Sequence, residues 1–121
     1  MNRLLFVAGG KRKKIIARKV RHAISFAEQA KGLMFEQKRN FDYCLIFRLP
    51  FETRTGASVH MMFVFFPIDI IYLDAQKRIN EIARLKPWRL NFTPRKPAKW
   101  LIELPAGKAK GLKAGWKLEW E

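Results

Sequence analysis

The stretch Val59–Asp74, VHMMFVFFPIDIIYLD, is almost uncharged in a chain of 121 residues that carries a formal net charge of +15. So much contiguous apolar surface has to be buried, either in a membrane or in a core. It is shorter than the ~20 residues a membrane-spanning helix needs and is interrupted by Pro67 and Asp69, which leaves the core. Pro67 divides it into Val59–Phe66 and Ile68–Leu73. In the first part both side-chain parities are apolar, Val59/Met61/Phe63/Phe65 and His60/Met62/Val64/Phe66, which predicts a central strand buried on both faces.

Charge is distributed around this centre. Residues 1–40 hold eleven Lys/Arg against two acids, residues 41–80 four against four, and residues 81–121 ten against four, giving +9, 0 and +6. The middle of the chain is expected to form the core, and the two ends a positive exterior suited to an anionic partner. A hydrophobic content of 49% is enough for one domain spanning residues 1–121, with a basic turn around residues 9–14 expected to be mobile. Cys44 is the one cysteine and sits in the apolar run YCLIF, so it reads as a small core hydrophobe in a reducing compartment. The N-terminus, MNRLLFVAGGKRKK, puts its basic cluster after a five-residue apolar run, the reverse of a secretory signal, and the chain is read as cytoplasmic with no transmembrane segment.

Local patterns predict the remaining elements. Leu4–Val7 and Ile15–Arg21 read as strands joined by a turn at Ala8-Gly9-Gly10. Ser25-Phe26-Ala27-Glu28 fits a capping box and predicts one short helix over about residues 26–34. Tyr43–Phe47 reads as a strand ended by Pro50, and Ile68–Leu73 as a strand that turns at Asp74-Ala75-Gln76-Lys77 into Ile79–Leu85. Lys86–Pro97, with three prolines, reads as an irregular basic loop, Ala98–Leu104 as a strand, and Pro105–Gly111 as a helical turn. Trp116, Leu118 and Trp120 alternate with Lys117, Glu119 and Glu121, the mark of a half-buried strand. Many short strands and one helix predict a mainly β fold, a compact β-sandwich or barrel-like domain.

Four stretches read together as one pattern: EQAKGLMF (residues 28–35), His60-Met61, FPIDIIYLD (residues 66–74) and IELPAG (residues 102–107). The pattern resembles the uncharacterised domain-of-unknown-function 192 family, over about Ile15 to Trp120. The resemblance implies a compact, mostly β, sandwich-like fold and no agreed activity. Many bacterial members look like W-M-K-N-T before the proline-led strand, where this chain has His60, Met61, Met62, Phe63 and Val64. A site that relatives build on the missing Lys-Asn pair is therefore not carried to Met62 and Phe63. Trp116 stands where the terminal strand of the family usually has Asp.

Chemistry is sparsely signalled. Two histidines, one cysteine and neither C-x-x-C nor H-x-x-x-H give no metal site, and without a P-loop, G-x-G-x-x-G or G-x-S-x-G no cofactor or catalytic residue is assigned. Asp69 falls on the same strand face as Ile71 and Leu73, where a carboxylate must be hydrogen-bonded or protonated. Asp69 and His60 are the pocket candidates, although a hairpin at Phe66-Pro67 would hold them roughly 13 Å apart along the strands. Glu81 and Glu103 are isolated strand acids, and Glu103 is expected to pair with a nearby cation.

The cationic signal is the strongest. Lys11, Arg12, Lys13, Lys14, Arg18, Lys19 and Arg21 form one cluster; Arg84, Lys86, Arg89, Arg95, Lys96 and Lys99 form another, interleaved with Trp88, Phe92 and Trp100. Phosphates take the charges, and exposed rings can stack on unpaired bases, although Phe92 and Trp100 are expected in the core. The first reading is a non-enzymatic module that binds a polyanion such as RNA or DNA. The second is a sandwich pocket near Asp69 for a small molecule or carbohydrate. An enzyme using Asp69 or Glu103 comes last, because no second catalytic group can be set within reach.

Overall fold

The computed structural model describes residues 5–8, 14–23 and 32–121. Eight strands make two sheets: β1 (Leu5–Val7), β2 (Lys14–Ala17), β3 (Val20–Ala23), β4 (Cys44–Thr53), β5 (Ile68–Leu73), β6 (Ile79–Leu85), β7 (Ala98–Pro105) and β8 (Leu118–Trp120). A three-stranded sheet has the order β2-β1-β8, and a five-stranded sheet the order β3-β4-β7-β5-β6. Every pairing is antiparallel except β3 with β4. The mainly β fold predicted from the sequence is what forms, as two open sheets rather than a closed barrel.

The five-stranded sheet is buried on both faces, and strand parity explains how. Ile46, Ile71, Leu73, Ile102 and Leu104 point toward the small sheet and pack with Leu5 and Leu118. Leu45, Phe47, Ile70, Tyr72 and Leu101 point the other way, where a coat of loops supplies Leu33, Phe41, Met61, Val64 and Phe66. All six residues of β5 are buried, so the inner strand covered on both faces is Ile68–Leu73, with Asp69 its one charged residue. Cys44 is buried, and desolvation pushes its thiol up to about 12.

Several expectations need correction. Val59–Phe66 is a loop, touching strand geometry only at the isolated bridge Val59 to Phe92. The chain reverses at Met62-Phe63, closed by the Val64 N–H on the Met61 carbonyl (3.1 Å). Met61, Val64 and Phe66 go inward while His60, Met62 and Phe65 stay exposed. The loop meets its backbone needs against residues 86–93 instead of a sheet: Val59 and Phe92 exchange N–H···O bonds of 2.8 and 2.7 Å, and the Trp88 N–H reaches the Met61 carbonyl at 2.9 Å. Ile15–Arg21 is two strands, broken at Arg18-Lys19, that enter different sheets. Pro50 does not end β4; it lies where the β4–β7 register lapses between Arg48 and Thr53, so no ladder bond is lost to it. Pro105–Gly111 is a run of turns, not a helical one. Of the helix predicted at 26–34, residues 26–31 lie outside the described residues and 32–34 are turn, and the basic turn at residues 9–13 is outside them too. Among the described residues no helix is long and apolar enough to cross a membrane.

Candidate functional site

Three loops meet beside the start of β5: residues 32–36, 58–67 and 86–93. Phe35 donates its N–H to the Phe63 carbonyl (2.8 Å), and the Met61 N–H reaches the Arg89 carbonyl (2.6 Å), so each loop is fastened to the next through backbone. On top of this frame four rings form a continuous row. Phe35 stacks on Phe63 at 4.8 Å between centroids, Phe63 meets Trp88 edge-on at 5.0 Å, and Trp88 meets Phe65 at 5.7 Å. Phe35, Phe65 and Trp88 are 61%, 58% and 46% exposed, an unusual outlay of aromatic surface facing water.

The backbone beneath the row is strained. Phe35, Phe63 and Trp88 have φ of 63°, 60° and 66°, a region that costs a bulky L-residue ~1–2 kcal/mol each. Such strain persists only where surrounding contacts over-determine it, and it concentrates at functional sites. Lys86, Arg89 and Leu90 are exposed beside the row. The Arg89 guanidinium lies over Phe92 at 5.0 Å, and its Nε donates to the Asn91 carbonyl (3.1 Å).

Below the loops lies a cavity of about 170 Å³, lined by Gly32, Leu33, His60, Met61, Val64 and Glu103 among others. Glu103 sits in the middle of β7, opposite Leu45 on β4 and Ile70 on β5, and is buried. Among the described residues its Oε1 has no hydrogen-bond partner and no cation pairs with it. Burial alone pushes its carboxyl up to about 8, so it is mostly neutral at pH 7. The surface ion pair expected for Glu103 is thus replaced by a protonated acid in the core. Tyr43, just before β4, is likewise pushed up to about 12, by burial first and then by donating to Glu36 Oε2 (2.8 Å).

The two pocket candidates are separated. His60 lines the cavity at its exposed rim, its Nδ1 accepting the Met62 N–H (3.3 Å). Asp69 does not line it. On β5 its Oδ1 accepts from Arg84 Nε (2.9 Å), its cross-strand neighbour, and its Oδ2 accepts the N–H groups of Gly107 (2.9 Å) and Ala109 (3.1 Å). The carboxylate thereby fixes the turns after β7, where Gly107 takes a φ of 96°. Asp69 in turn holds the Arg84 guanidinium above its ordinary value.

The basic residues divide into two groups. Arg21 lies on β3 and Arg84 on β6, the opposite edges of the five-stranded sheet and four strand spacings apart, ~19 Å. On the β3 side Arg18, Lys19 and Arg21 are exposed, with Lys19 bonded to Asp42 and Arg21 lying 4.1 Å over the Tyr43 ring, while the exposed Lys14 stands on β2 at the edge of the small sheet, 5.9 Å over the Trp116 ring. Lys11, Arg12 and Lys13 lie outside the described residues. On the β6 side Lys86, Arg95 and Lys96 are exposed, and Lys99 donates to the Pro50 carbonyl (3.0 Å). Of the interleaved rings, Phe92 stacks on Tyr72 (6.1 Å) and Trp100 packs edge-on against Trp120 (4.9 Å), both half-buried, whereas Trp88 stands out in solvent.

Sequence reasoning misses the row of rings, because the apolar pattern puts Phe63 and Phe65 in a buried strand, and it misses the unpartnered Glu103. The signal that could have found Glu103 is parity: it shares a strand face with Leu101, two residues away on β7.

The model of a family described as "DUF192: Uncharacterized ACR, COG1430" matches residues 7–120. A UPF0127 protein of Pyrococcus furiosus is 42% identical over 119 residues, covering 97% of each chain. A UPF0127 protein of Pyrococcus abyssi is 44% identical over 104 residues, covering 84% of this chain and 86% of the relative. Among solved structures, a protein of unknown function from Novosphingobium aromaticivorans superposes with a TM-score of 0.81 at 29% identity, over 97% of this chain and 84% of that one. A Sinorhizobium meliloti protein provisionally named a transcription regulator also gives 0.81, at 20% identity over 98% and 92%, a likeness of fold alone.

Proposed function

The chain belongs to the DUF192 family, and from that premise we propose that it is a binding module for single-stranded RNA or DNA, working in the cytoplasm. The observation that carries this reading is the exposed row Phe35–Phe63–Trp88–Phe65 beside Lys86 and Arg89. Rings held at fixed spacing offer faces and edges to unpaired bases, and every base has a π-face, so such a platform tolerates any sequence. Lys86, Arg89, Arg95 and Lys96 supply phosphate contacts on the same side of the sheet, with Arg84 largely committed to Asp69. Arg18, Lys19 and Arg21 offer a second set of phosphate contacts at the far edge, and Lys11, Arg12, Lys13 and Lys14, which precede them in the sequence, are assigned to the same arm. A strand bound at both edges would be held by charge at each and read by stacking at one. The net charge of +15 favours encounter with any polyanion, so stacking separates this reading from unspecific attraction.

Fluorescence anisotropy with labelled single-stranded RNA, single-stranded DNA and duplex DNA, titrated over several salt concentrations beside heparin, tests it. Preference for single strands over duplex and heparin, with ~5- to 160-fold weaker binding in W88A, is the expected result, since one stacked base contributes ~1–3 kcal/mol. Equal binding of heparin, or a W88A variant that binds like the wild type, would refute stacking as the basis of recognition.

A further inference from the structure

A second site lies beneath the row and is independent of it. The cavity walls are mixed: Leu33, Met61 and Val64 from the loops and Phe47 and Leu101 from the sheet supply the apolar part, and Ser58 and His60 supply polar surface. Of the polar groups in the lining, Ser58 pairs with Thr93 and His60 with Met62, whereas the buried Glu103 carboxyl keeps an unpartnered Oε1 among the described residues, 3.7 Å from where a side chain on Gly32 would begin. Residue 32 takes a φ of +50°, which suits glycine, and the absence of a side chain there leaves the space over Oε1 open. A buried carboxyl oxygen without a partner costs ~1–3 kcal/mol, and native folds rarely keep such a group without a use. We propose that this cavity is a binding site for a small neutral molecule carrying an amide- or lactam-type group, whose N–H and C=O pair with the Glu103 carboxyl while its hydrocarbon part fills the apolar walls.

The chemistry follows from the host. An isolated carboxylate cannot be held at that depth, so the neutral acid, one donor and one acceptor side by side, is the form on offer. A lactam or primary amide presents the complementary pair. A cationic ligand would have to enter against the charge of the whole protein, and an anionic one would set a second acid against the Glu103 carboxyl, whose burial already disfavours charge. The size fits a ring of about six heavy atoms, since cavities near 150 Å³ take benzene. The titratable groups around Glu103 are His60 at the rim, Tyr43 just before β4, Glu36 on Tyr43, and Tyr72 on β5, whose hydroxyl has no partner among the described residues.

Thermal-shift and two-dimensional NMR titrations of the whole protein with δ-valerolactam, N-methyl-δ-valerolactam and cyclohexylamine test the proposal. δ-Valerolactam is expected to raise the melting temperature saturably and independently of salt, and to move the amide signals of Gly32, Met61 and Val64. Its N-methyl analogue should bind at least ~10-fold more weakly, having lost one bond to the carboxyl. E103Q keeps a donor and an acceptor and should bind δ-valerolactam within a few-fold of wild type, whereas E103L should not bind it. Equal binding of the N-methyl analogue, a preference for cyclohexylamine, or no localised shifts at tens of millimolar would overturn the proposal. Should E103L fail to fold, the comparison of the two lactams on the wild type decides the matter alone.

Discussion

Replacing Glu103 by Gln keeps the shape of the buried side chain and removes its titration, which makes the variant a direct probe of the core. In the unfolded chain the carboxyl ionises at its ordinary 4.5, and in the folded protein burial holds the proton until about 8. Between those values the native state binds the extra proton, so stability falls as pH rises. The contribution is complete below 4.5, declines through the interval by ~1.4 kcal/mol per pH unit, and is gone above about 8. The whole interval amounts to roughly 5 kcal/mol, a large share of the ~5–15 kcal/mol that holds a domain together. E103Q does not suffer this loss. Urea unfolding followed by tryptophan fluorescence at pH 5, 6, 7, 8 and 9 should therefore show the stability of E103Q gaining on the wild type from pH 5 to 8 and then running parallel to it. Groups that titrate alike in both proteins cancel in the difference. Parallel curves across the whole range would refute a protonated Glu103 in the native core.

Three further outcomes are expected. Asp69→Ala removes the acceptor of two backbone N–H groups and leaves Arg84 unpaired, at a cost of ~2–4 kcal/mol in urea unfolding, and hydrogen exchange should speed at Gly107 and Ala109. Ile71→Ala, at a fully buried position on the inner strand β5, should cost ~2–5 kcal/mol and lower the unfolding midpoint without changing the slope. Replacing Lys11–Lys14 with Ala should reduce the salt dependence of single-strand binding by ~0.7 for each phosphate no longer neutralised, and an unchanged slope would remove that arm from the nucleic-acid reading.

The parts of the fold legible in the sequence are those where one local rule acts alone. Asp74–Lys77 has turn chemistry between two apolar runs, and β5 and β6 begin and end where the pattern places them. Trp116–Trp120 alternates because one face of β8 covers the core and the other meets water. Val59–Phe66 misleads because a run apolar at every position carries no periodicity. A buried strand and a loop that sends Met61, Val64 and Phe66 inward are then indistinguishable, and the left-handed turn at Phe63 occurs at a residue type that ordinarily avoids it. Pro50 misleads because its missing N–H matters only where a partner strand asks for it, which is a property of β7 and not of the local sequence. At the candidate site the cations are legible by composition, whereas the row of rings depends on three loops meeting through backbone bonds that no side-chain pattern encodes. Glu103 looks like a surface acid because cations flank it along the chain, yet strand parity turns it away from them.

The pairing of β1 with β8 bears on how the protein is made. Leu5 lies opposite Trp120 and Val7 opposite Leu118, so the first of the described strands has one of its two partners at the far end of the described chain. Until β8 emerges from the ribosome, the hairpin of β1 and β2 has a bare edge, and Leu5 and Ile16 lack part of their cover. The five-stranded sheet can assemble once β7 has been made, but the face carrying Ile71, Leu73 and Ile102 is sealed only with β8 in place. The sandwich therefore closes after translation of nearly all of this sequence, and for that period the nascent chain exposes an apolar sheet face and an unpaired strand edge, the features that folding helpers bind and that aggregation exploits.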